Sequence, residues 1–557
     1  MDVQAIETND LELVDEVLDR AAEFNPDIEA YVEPSHEGSV RSSVTFLEWK
    51  ERSASLAAEL FDRGVRKGDV VGLLMGPSID YAVAYQAVLR VGAVLCGMNP
   101  RLGKKEQASI FERMRPRLSI IEDALVEEVD QHSGPILTRS EMRALPHRAF
   151  LAVEGRSSSD FVAVVWTSGT TGLPKGALFS HDSLRSVARG TDVLSQRGDR
   201  KLSPLPFAHI GYMTRVWDEI SNGVTTIITP TPWSARSALR SIVEERVSVA
   251  QGVPTQWALI LELDESDALD VSSLRITSTG AARMAPSQVA ALRERFNVPV
   301  VVRYTSTEAS LGTGTVPGDS DDVVATTVGR PVPGVEMELR DDHGRTVASG
   351  EVGRVHLKSG ATMLGYVATR QVDGAMTTLQ IDEDLTRGVR GEDGWITTGD
   401  FGVVDIDGNL SLVGRDNELY QRGGYNVYPA EVEQALDSVP GIGAVAIVPG
   451  RDDVLGEIGV AFIVPEPGEA EPSRESIRAS LGETLADYKL PDVVILMDEL
   501  PVTAMGKIDK QSLKVAAQDA ATQRGKQVKM ARESERARGV VEIDKDKRST
   551  NAIEEEL

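Results

Sequence analysis

The strongest signal in this sequence is the stretch Thr167-Ser168-Gly169-Thr170-Thr171-Gly172-Leu173-Pro174-Lys175-Gly176. It combines three glycines, four hydroxyl side chains and one lysine, and it directly follows the apolar residues 161–166, which predict a buried strand. Glycines let the backbone approach a ligand closely, hydroxyls donate hydrogen bonds to phosphate oxygens, and a lysine supplies positive charge. We therefore predict a phosphate-binding loop at a strand end rather than a flexible surface turn.

Two common phosphate-binding loops differ from this one. A Walker loop requires Gly-Lys followed by Ser or Thr, whereas Lys175 is followed by Gly176. The Gly-x-Gly-x-x-Gly pattern of dinucleotide-binding folds is also absent from the stretch. The sequence therefore disfavours both a P-loop nucleotidase and a Rossmann dehydrogenase.

Short apolar runs alternate with helix-period segments over the first half of the chain, which is typical of βαβ units. Residues 70–75 predict a buried strand, and residues 81–91 predict the helix that follows it. Residues 274–277 and 298–304 predict two further strands, and Pro286 begins the helix between them. Because ligands gather at the carboxyl ends of parallel strands, we expect the polar turns after these strands to share one cleft.

The pattern of the sequence changes after about residue 410. A helix beginning at Pro429 and short strands over residues 444–448, 459–464 and 493–497 indicate a small α+β domain. We predict an α/β fold with a large N-terminal domain of parallel-type sheets flanked by helices, plus a small mobile α+β C-terminal domain. The expected bounds are residues 1–415 for the large domain, 416–515 for the small domain, and 516–557 for a charged tail that is disordered or weakly helical.

Charge and composition exclude several classes of partner. The net charge of −27 argues against nucleic acid and anionic membranes, which are bound mainly by clustered Lys and Arg. The single cysteine, Cys96, has apolar neighbours and is predicted to be a buried core residue. The acidic N-terminus lacks an apolar signal core, so we expect a cytoplasmic protein without stable membrane insertion. The sequence leaves a homodimer open.

Further blocks follow the phosphate loop along the chain. Tyr304-Thr305-Ser306-Thr307-Glu308 is similar to Tyr-Gly-x-Thr-Glu, and Trp395 to Asp400 is similar to Trp-x-x-Thr-Gly-Asp. Gly414-Arg415 opens a hinge block, and residues 501–508 are similar to Pro-x-Thr-x-x-Gly-Lys. Together with the first stretch, these blocks resemble the adenylate-forming superfamily, which includes acyl-CoA synthetases, adenylation domains of peptide synthetases and beetle luciferase. The resemblance extends over roughly residues 40 to 515.

The resemblance implies an enzyme that uses ATP and Mg²⁺ to activate a carboxylic acid as its acyl-adenylate. It implies that the phosphates are bound by Thr167, Ser168, Gly169, Thr170, Thr171, Gly172 and Lys175. It implies that the adenosine part is bound by Gly280, Ala281, Ala282, Tyr304, Thr305, Ser306, Asp400 and Arg415. In the family, the aspartate equivalent to Asp400 accepts hydrogen bonds from both ribose hydroxyls. A plain strand-to-helix turn is the alternative for Gly280-Ala281-Ala282.

The catalytic residues implied by the resemblance are Thr307, Glu308 and Lys507. Glu308, beside Thr307 at a strand end, suits Mg²⁺, which commonly binds through one or two carboxylates plus substrate phosphates. We expect Thr171 and Glu308 to be the metal ligands. Lys507 would stabilise the negative charge that builds up when the acid attacks the α-phosphate.

The second substrate is implied to be coenzyme A. Gly423, Gly424 and Tyr425 belong to a block that resembles the one lining the pantetheine tunnel in CoA-forming members. In the family, the small domain rotates to present first the lysine and then this block. An acyl-CoA ligase of this kind would belong to fatty-acid and lipid metabolism. The alternatives are an acyl-AMP ligase that loads a carrier-protein thiol and a non-catalytic nucleotide-binding relative.

The acid is expected to bind near His209, Gly252, Ser310 and Gly312. The neighbouring residues are apolar or small, which favours a hydrophobic monocarboxylate; the sequence leaves fatty, aryl and polycyclic acids open. The alternative for His209 is a core or capping histidine. Two departures from the family pattern concern the site: Asn417 replaces the usual Asp or Lys of the hinge, and Thr305 replaces a glycine.

Overall fold

The computed structural model describes residues 3–36, 39–129, 131–167, 174–263, 269–372, 376–416, 418–437, 439–466, 468–482, 485–502, 508–527 and 529–530. The chain divides into two compact units between Ser411 and Leu412. The large unit contains three sheets, and the small unit contains a fourth. The predicted α/β class, with a large sheet domain followed by a smaller domain, is confirmed.

The first sheet has nine strands within the described residues. In spatial order they are Arg330–Pro331, Thr313–Gly314, Val300–Tyr304, Ile276–Gly280, Val249–Gly252, Arg200–Ser203, Thr225–Ile228, Glu29–Glu33 and Ser42–Thr45. The strands from Val300–Tyr304 through Glu29–Glu33 run parallel, and the edge strands are antiparallel. The predicted strands at residues 274–277 and 298–304 are confirmed, with Ile276–Gly280 beginning and ending later than expected.

The second sheet has eight strands in the described part of the chain. In spatial order they are Met376–Ile381, Gly365–Val372, Lys175–Ser180, Phe161–Thr167, Val94–Met98, Val70–Leu74, Leu118–Ile121 and Ile136–Thr138. The strands from Phe161–Thr167 to Ile136–Thr138 are parallel, and the first three pair antiparallel. The buried strands predicted at residues 70–75 and 161–166 are confirmed.

The third sheet is smaller and antiparallel where its register is defined. Its strands are Glu336–Arg340, Gly353–Lys358, Ile396–Val404 and Leu410–Arg415. Gly414 and Arg415, predicted to open the hinge block, belong to the last of these strands, in which the chain passes from the large unit to the small one.

Helices cover the sheets of the large unit. Their bounds are Val14–Phe24, Phe46–Asp62, Ile79–Val91, Lys104–Met114, Arg139–Arg143, His181–Ala188, Ile210–Met213, Val216–Ser221, Ala235–Glu244, Pro254–Leu261, Pro286–Phe296, Asp321–Thr326 and Glu383–Arg387. The helix Pro286–Phe296 starts at the predicted proline and buries Val289, Leu292 and Phe296 along one face. Cys96 is buried as predicted, and burial raises the pKa of its thiol to about 12.

The small unit is built on one mixed sheet. Its strands in spatial order are Tyr425–Val427, Tyr420–Arg422, Gly456–Pro465 and Ile442–Asp452, with Val493–Leu496 parallel to Gly456–Pro465. The helices Pro429–Leu436 and Arg474–Leu481 cover it, and Val432, Leu436 and Ile477 are fully buried against its core. The three short strands predicted for this region are confirmed.

An ordered helix extends into the region predicted to be a charged tail. Residues 510–527 are helical, and Leu513, Ala517 and Ala521 are buried. Leu513 and Ala517 join the core of the small unit beside Val448 and Phe462. Leu513, Ala517 and Ala521 recur at every fourth position and are buried, Lys510 and Arg524 are partly buried, and most of the other side chains are exposed, so net polarity misrepresents this segment. No helix of the described residues is both long and apolar enough to cross a membrane.

A buried histidine holds the N-terminal helix of the large unit. His181 is 2% exposed, and its Nδ1 accepts a hydrogen bond of 3.1 Å from the backbone N–H of Val14. The ring must therefore be neutral. Burial lowers the pKa of His181 to about 4, although the nearby Asp15 acts in the opposite direction.

We expect His181 to make the stability of the large unit depend on pH. The unfolded chain binds a proton at about pH 6.5, but the folded chain does not until about pH 4. Stability is therefore fully present above pH 6.5, falls as the pH drops between these values, and loses about 2 kcal/mol by pH 5. Thermal unfolding at pH 7 and pH 5 should show a smaller acid shift for His181→Gln than for wild type. The exposed His343→Gln is the control, and equal shifts in all three proteins would contradict the assignment.

Candidate active site

The phosphate loop connects two antiparallel strands. Phe161–Thr167 pairs with Lys175–Ser180, with Thr167 opposite Lys175. Ser168, Gly169, Thr170, Thr171 and Gly172 lie outside the described residues. Walker and dinucleotide loops lead into a helix whose N-terminus faces the phosphates, but this loop leads into a strand. Positive charge at its base therefore comes from the Lys175 side chain rather than from a helix terminus.

Close packing fixes the base of this hairpin. A Cβ on Gly176 would lie 2.6 Å from Val164 Cγ1 and 2.8 Å from Val367 Cγ1, so only glycine fits there. Arg113 donates a hydrogen bond of 2.9 Å to the carbonyl of Pro174. The strand that carries Lys175 is thus held on both sides.

Tyr366 connects Lys175 with Glu308. The Lys175 Nζ lies 5.4 Å from the centroid of the Tyr366 ring, within the range of a cation–π interaction. The Tyr366 hydroxyl donates a hydrogen bond of 2.7 Å to Glu308 Oε1. Tyr366 stands opposite Ala177 in the neighbouring strand of the second sheet. The two charged residues predicted for phosphate and metal therefore lie on either side of one tyrosine.

The surroundings keep this tyrosine protonated. Burial raises the pKa of Tyr366 well above its ordinary value, and the Glu308 carboxylate raises it further. The hydroxyl is thus a permanent donor, and Glu308 is the acceptor. The backbone of the glutamate is fixed too, because the Met363 N–H donates to the Glu308 carbonyl at 2.8 Å. One oriented carboxylate fits Mg²⁺ that is held jointly with substrate phosphates.

Asp400 is fixed by a second tyrosine. The Tyr304 hydroxyl donates to Asp400 Oδ2 at 2.5 Å, and Asp400 is 3% exposed. Tyr304 ends a strand of the first sheet and Asp400 lies in Ile396–Val404 of the third sheet, so this bond joins two sheets. The structure therefore places Asp400 beside Tyr304, the last residue of the strand Val300–Tyr304, and the Thr307-Glu308 pair follows this strand.

The predicted adenine turn lies beside the Tyr304 segment. Gly280 ends its strand opposite Arg303 of the parallel neighbour, so the turns that follow both strands leave the sheet at the same edge. Ala281 and Ser310, one in each turn region, have φ values of +68° and +62°. Glycine, which has no Cβ, favours positive φ values, and other residues with positive φ often lie at functional sites. Thr305, which replaces the glycine of the family pattern, is exposed.

The other non-glycine residues with positive φ in the described part of the chain have a different explanation. They are Arg115, Arg246 and Asn297, and each follows the end of a helix. A left-handed residue closes a helix by satisfying its last carbonyl groups. Ala281 and Ser310 are not at helix ends, so this explanation does not apply to their backbone conformation.

Of the predicted acid-binding residues, His209 and Ser310 lie on segments that touch. His209 caps the helix Ile210–Met213, with its Nδ1 accepting from the Gly211 N–H at 3.1 Å, so the capping alternative describes its observed contact. Thr214, at the end of that helix, has its Oγ1 3.2 Å from Ser310 Oγ. Gly312 lies so close to the Tyr304 carbonyl that a Cβ would be 2.5 Å from it.

Gly252 lines a small apolar cavity at the carboxyl ends of three strands of the first sheet. The cavity is enclosed by Pro204, Thr229, Trp233, Trp257 and Ile260, together with other residues of the same strands and helices. The indole N–H of Trp257 donates to the Ser278 carbonyl at 3.2 Å. A Cβ on Gly252 would lie 2.9 Å from the same indole, so this position also requires glycine.

The small unit carries the remaining predicted residues. Gly423 and Gly424 connect the strands Tyr420–Arg422 and Tyr425–Val427, with φ values of +59° and +87°. A two-residue hairpin turn with positive φ at both positions requires such residues, so these glycines are first of all turn residues. Tyr425 is 59% exposed and stacks on Tyr488 at 4.6 Å between ring centroids. Arg415 is exposed, and Lys507 and Asn417 lie outside the described residues.

Tyr366 is the residue of the site that the sequence did not reveal. A tyrosine inside an apolar strand normally indicates core packing, and Tyr366 has no motif around it that points to a ligand. Only the pairing of its strand with Lys175–Ser180 brings its hydroxyl to Glu308.

Comparison with known proteins agrees with this geometry. Residues 18–367 match the model of the AMP-binding enzyme family, and residues 431–507 match that of the AMP-binding enzyme C-terminal domain. A methyl-dioxo-octahydroindenyl-propanoyl:CoA ligase of Mycobacterium tuberculosis is 32% identical, covering 91% of this chain and 99% of the relative. The long-chain-fatty-acid–CoA ligase FadD13 of Mycobacterium tuberculosis is 31% identical, with 89% and 97% covered.

A solved structure gives the same result. The fatty acyl CoA synthetase of Mycobacterium tuberculosis superimposes with a TM-score of 0.71 at 28% identity, and the match covers 91% of this chain and 98% of that one. The family models cover more than half of the chain, and the relatives match it over nearly their whole length. The chain therefore belongs to the AMP-binding enzyme family, and within it to the acyl-CoA synthetase type of the adenylate-forming superfamily.

Proposed function

We propose that this protein is an AMP-forming acid:CoA ligase, which uses ATP to activate a hydrophobic carboxylic acid and then transfers the acyl group to coenzyme A. The observation that carries the proposal is the contact of Tyr366 with both Lys175 and Glu308. It joins the base of a phosphate-binding hairpin to a carboxylate suited to Mg²⁺. Family membership supplies the reaction class.

In the first half-reaction the acid carboxylate attacks the α-phosphorus of ATP. A bond forms between the carboxylate oxygen and phosphorus, the bond from phosphorus to the bridging oxygen breaks, and pyrophosphate leaves with the electron pair. The carboxylate is itself the nucleophile, so the protein contributes positioning and charge stabilisation. We assign Lys175 to the β- and γ-phosphates, because its ammonium lies at the base of the loop.

Glu308 and Thr171 are the proposed metal ligands, and Mg²⁺ would neutralise negative charge on the phosphates. Tyr366 holds Glu308 in one orientation through its hydroxyl. This hydrogen bond keeps the carboxylate from rotating when the nucleotide is absent, so less ordering is needed on binding. Thr307 lies next to Glu308 at the same turn.

The proposed nucleoside site consists of the turns that follow the parallel strands Ile276–Gly280 and Val300–Tyr304. Asp400 would accept the ribose hydroxyls while Tyr304 fixes its Oδ2, and Arg415 would assist from the small unit. Gly280, Ala281 and Ala282 would offer a flat backbone surface to the adenine, with Thr305 and Ser306 at its border. The left-handed φ of Ala281 supports this role.

Lys507 is the proposed catalytic cation of adenylation, and Gly423, Gly424 and Tyr425 are proposed to line the route of coenzyme A. The CoA thiol would attack the acyl carbon of the adenylate, and AMP would leave. The exposed Tyr425 ring, stacked on Tyr488, supports contact with a thin ligand. A carrier-protein thiol is the alternative acceptor. A large domain to residue 415, a mobile lid over 416–515, a homodimer and a cytoplasmic location stay predictions from the sequence.

The proposed acid is a hydrophobic monocarboxylate bound near His209, Gly252, Ser310 and Gly312. The cavity beside Gly252 supports this, because two tryptophans and aliphatic side chains make up most of its lining, beside Thr229, Gln251 and Gln256. Two relatives are named for a bicyclic propanoate and for long-chain fatty acids, which are both hydrophobic monocarboxylates.

A panel of acids with ATP, Mg²⁺ and CoA tests the proposal. We expect acid-dependent exchange of pyrophosphate into ATP and acyl-CoA masses for fatty, aryl or polycyclic monoacids, with dicarboxylic acids and amino acids weaker because the apolar cavity cannot pair their extra charges. Absence of exchange with every acid would support the non-catalytic reading. Acyl-AMP that is consumed by a carrier protein but not by CoA would favour the alternative acceptor.

Replacement of Lys507 by alanine should reduce acyl-AMP formation by roughly 10²- to 10³-fold, the scale for losing one preorganised electrostatic donor. Transfer of supplied acyl-AMP to CoA should change far less, because that step does not need this cation. Lys514→Ala, an exposed lysine of the same unit, is the control. Acyl-AMP formation by Lys507→Ala at the wild-type rate would contradict the assignment.

Replacement of Tyr366 by phenylalanine keeps the ring beside Lys175 but removes the hydroxyl from Glu308. We expect the Mg²⁺ concentration for half-maximal adenylation to rise roughly tenfold, the scale for losing a group that orients a metal ligand. The matched control is Tyr420→Phe, because the buried Tyr420 hydroxyl has no hydrogen-bond partner among the described residues. An unchanged Mg²⁺ requirement in Tyr366→Phe would refute the role of the hydroxyl.

A further inference from the structure

A partly buried lysine, Lys510, joins three segments of the small unit through ion pairs. Lys510 stands at the start of the helix over residues 510–527, with its Nζ 2.7 Å from Glu418 Oε2 and 2.9 Å from Glu433 Oε1. Its side chain is 23% exposed. Glu418 follows the strand Leu410–Arg415 in the segment that begins the small unit, and Glu433 lies in the helix Pro429–Leu436. One ammonium group therefore forms ion pairs with two carboxylates from different elements.

The electrostatics favour a permanently charged Lys510. Burial lowers the pKa of Lys510, but the carboxylates of Glu433 and Glu418 outweigh it and hold the pKa above its ordinary value. Glu433 Oε1 also accepts a hydrogen bond of 2.7 Å from the Ile447 N–H in the strand Ile442–Asp452 of the sheet. The lysine is thus connected through Glu433 to the sheet.

Backbone contacts carry this fixation to the residues just before Lys510. Val502 and Ile508 form an antiparallel bridge, and the Asp509 N–H donates to the Pro501 carbonyl at 2.8 Å. Lys507 immediately precedes Ile508 in the chain. Ile508 and Asp509, which follow Lys507 in the chain, are therefore held by these backbone contacts and by the ion pairs of the next residue, Lys510.

We propose that Lys510 is a positioning residue for adenylation, which fixes residues 508–510, directly after Lys507 in the chain, by pairing with Glu418 and Glu433. The inference rests on the proposed function, because it requires Lys507 to act on the phosphates. Loss of the Lys510 charge would leave the partly buried carboxylates of Glu418 and Glu433, whose side chains are 32% and 20% exposed, without their shared cation, so the start of the helix would move away from them. A displacement of about 1 Å at a reacting group can reduce a rate by roughly 100-fold.

The same helix offers a matched control. Arg524 donates to Asp452 and Asp492 at 2.9 Å each, and its side chain is 22% exposed. It therefore resembles Lys510 in burial, charge and number of acidic partners. Arg524 lies near the opposite end of the helix from Lys510, so its loss should weaken the helix without displacing residues 508–510.

The experiment measures both half-reactions in the full-length protein with an acid that the wild type accepts. Adenylation is followed by acid-dependent exchange of pyrophosphate into ATP, and thioester formation is followed from supplied acyl-AMP and CoA. The variants are Lys510→Gln, Lys510→Arg, Glu418→Gln and Arg524→Gln. The readout is the ratio of the two rates, which is independent of the folded fraction because the same folded molecules carry out both reactions.

We expect Lys510→Gln to lower this ratio roughly 10- to 100-fold, Glu418→Gln to lower it less, and Lys510→Arg to restore most of it. Arg524→Gln should leave the ratio unchanged even if it lowers the melting temperature. In a Lys507→Ala background, Lys510→Gln should add little, because both changes act through one group.

Two results overturn the inference. An unchanged ratio in Lys510→Gln and Glu418→Gln, or an equal decrease in Arg524→Gln, would leave Lys510 with a structural role alone. A wild type without exchange for any acid would instead refute the proposed function. The two failures are therefore distinguished by the wild-type measurement.

Discussion

The hydrogen bond from Tyr366 to Glu308 joins parts of the large unit that are far apart in sequence. Tyr366 stands in the second sheet, and Glu308 follows the last parallel strand of the first sheet. The Lys175 ammonium lies over the ring of the same tyrosine. The buried hydroxyl stays protonated and donates to Glu308, while the ammonium group contacts the ring of the same tyrosine. Both charges stay available for a ligand that carries phosphate and metal.

A comparable arrangement fixes the other side of the site. Tyr304 holds Asp400 across the first and third sheets, so the carboxylate is buried and oriented before any ligand arrives. In each case a tyrosine donates to a carboxylate from a different sheet, and the sheets supply the rigidity. A chain with a net charge of −27 can bind a polyanionic nucleotide in this way, because local placement of Lys175 matters more than the overall charge.

The small unit uses charge differently. Lys510 and Arg524 each hold two acidic side chains, and the apolar stripe of Leu513, Ala517 and Ala521 lies between them on the same helix. The ion pairs are partly buried, so they contribute orientation more than net stability. The two cations together fix both ends of the helix, one beside the segment of Lys507 and the other beside Asp492.

The sequence by itself determined the fold class, the buried strand at residues 161–166, the helix at Pro286 and the family blocks, because these depend on local periodicity and on residue types that chemistry restricts. It did not predict the antiparallel return of the phosphate loop, the packing of the helix of residues 510–527 on the sheet or the contacts of Tyr366. Strand direction depends on which segments pair, and the apolar stripe of that helix is short of large side chains. Only the tertiary structure placed a tyrosine from one sheet between Lys175 and Glu308, because contacts between distant segments arise from sheet packing and leave no local pattern in the chain.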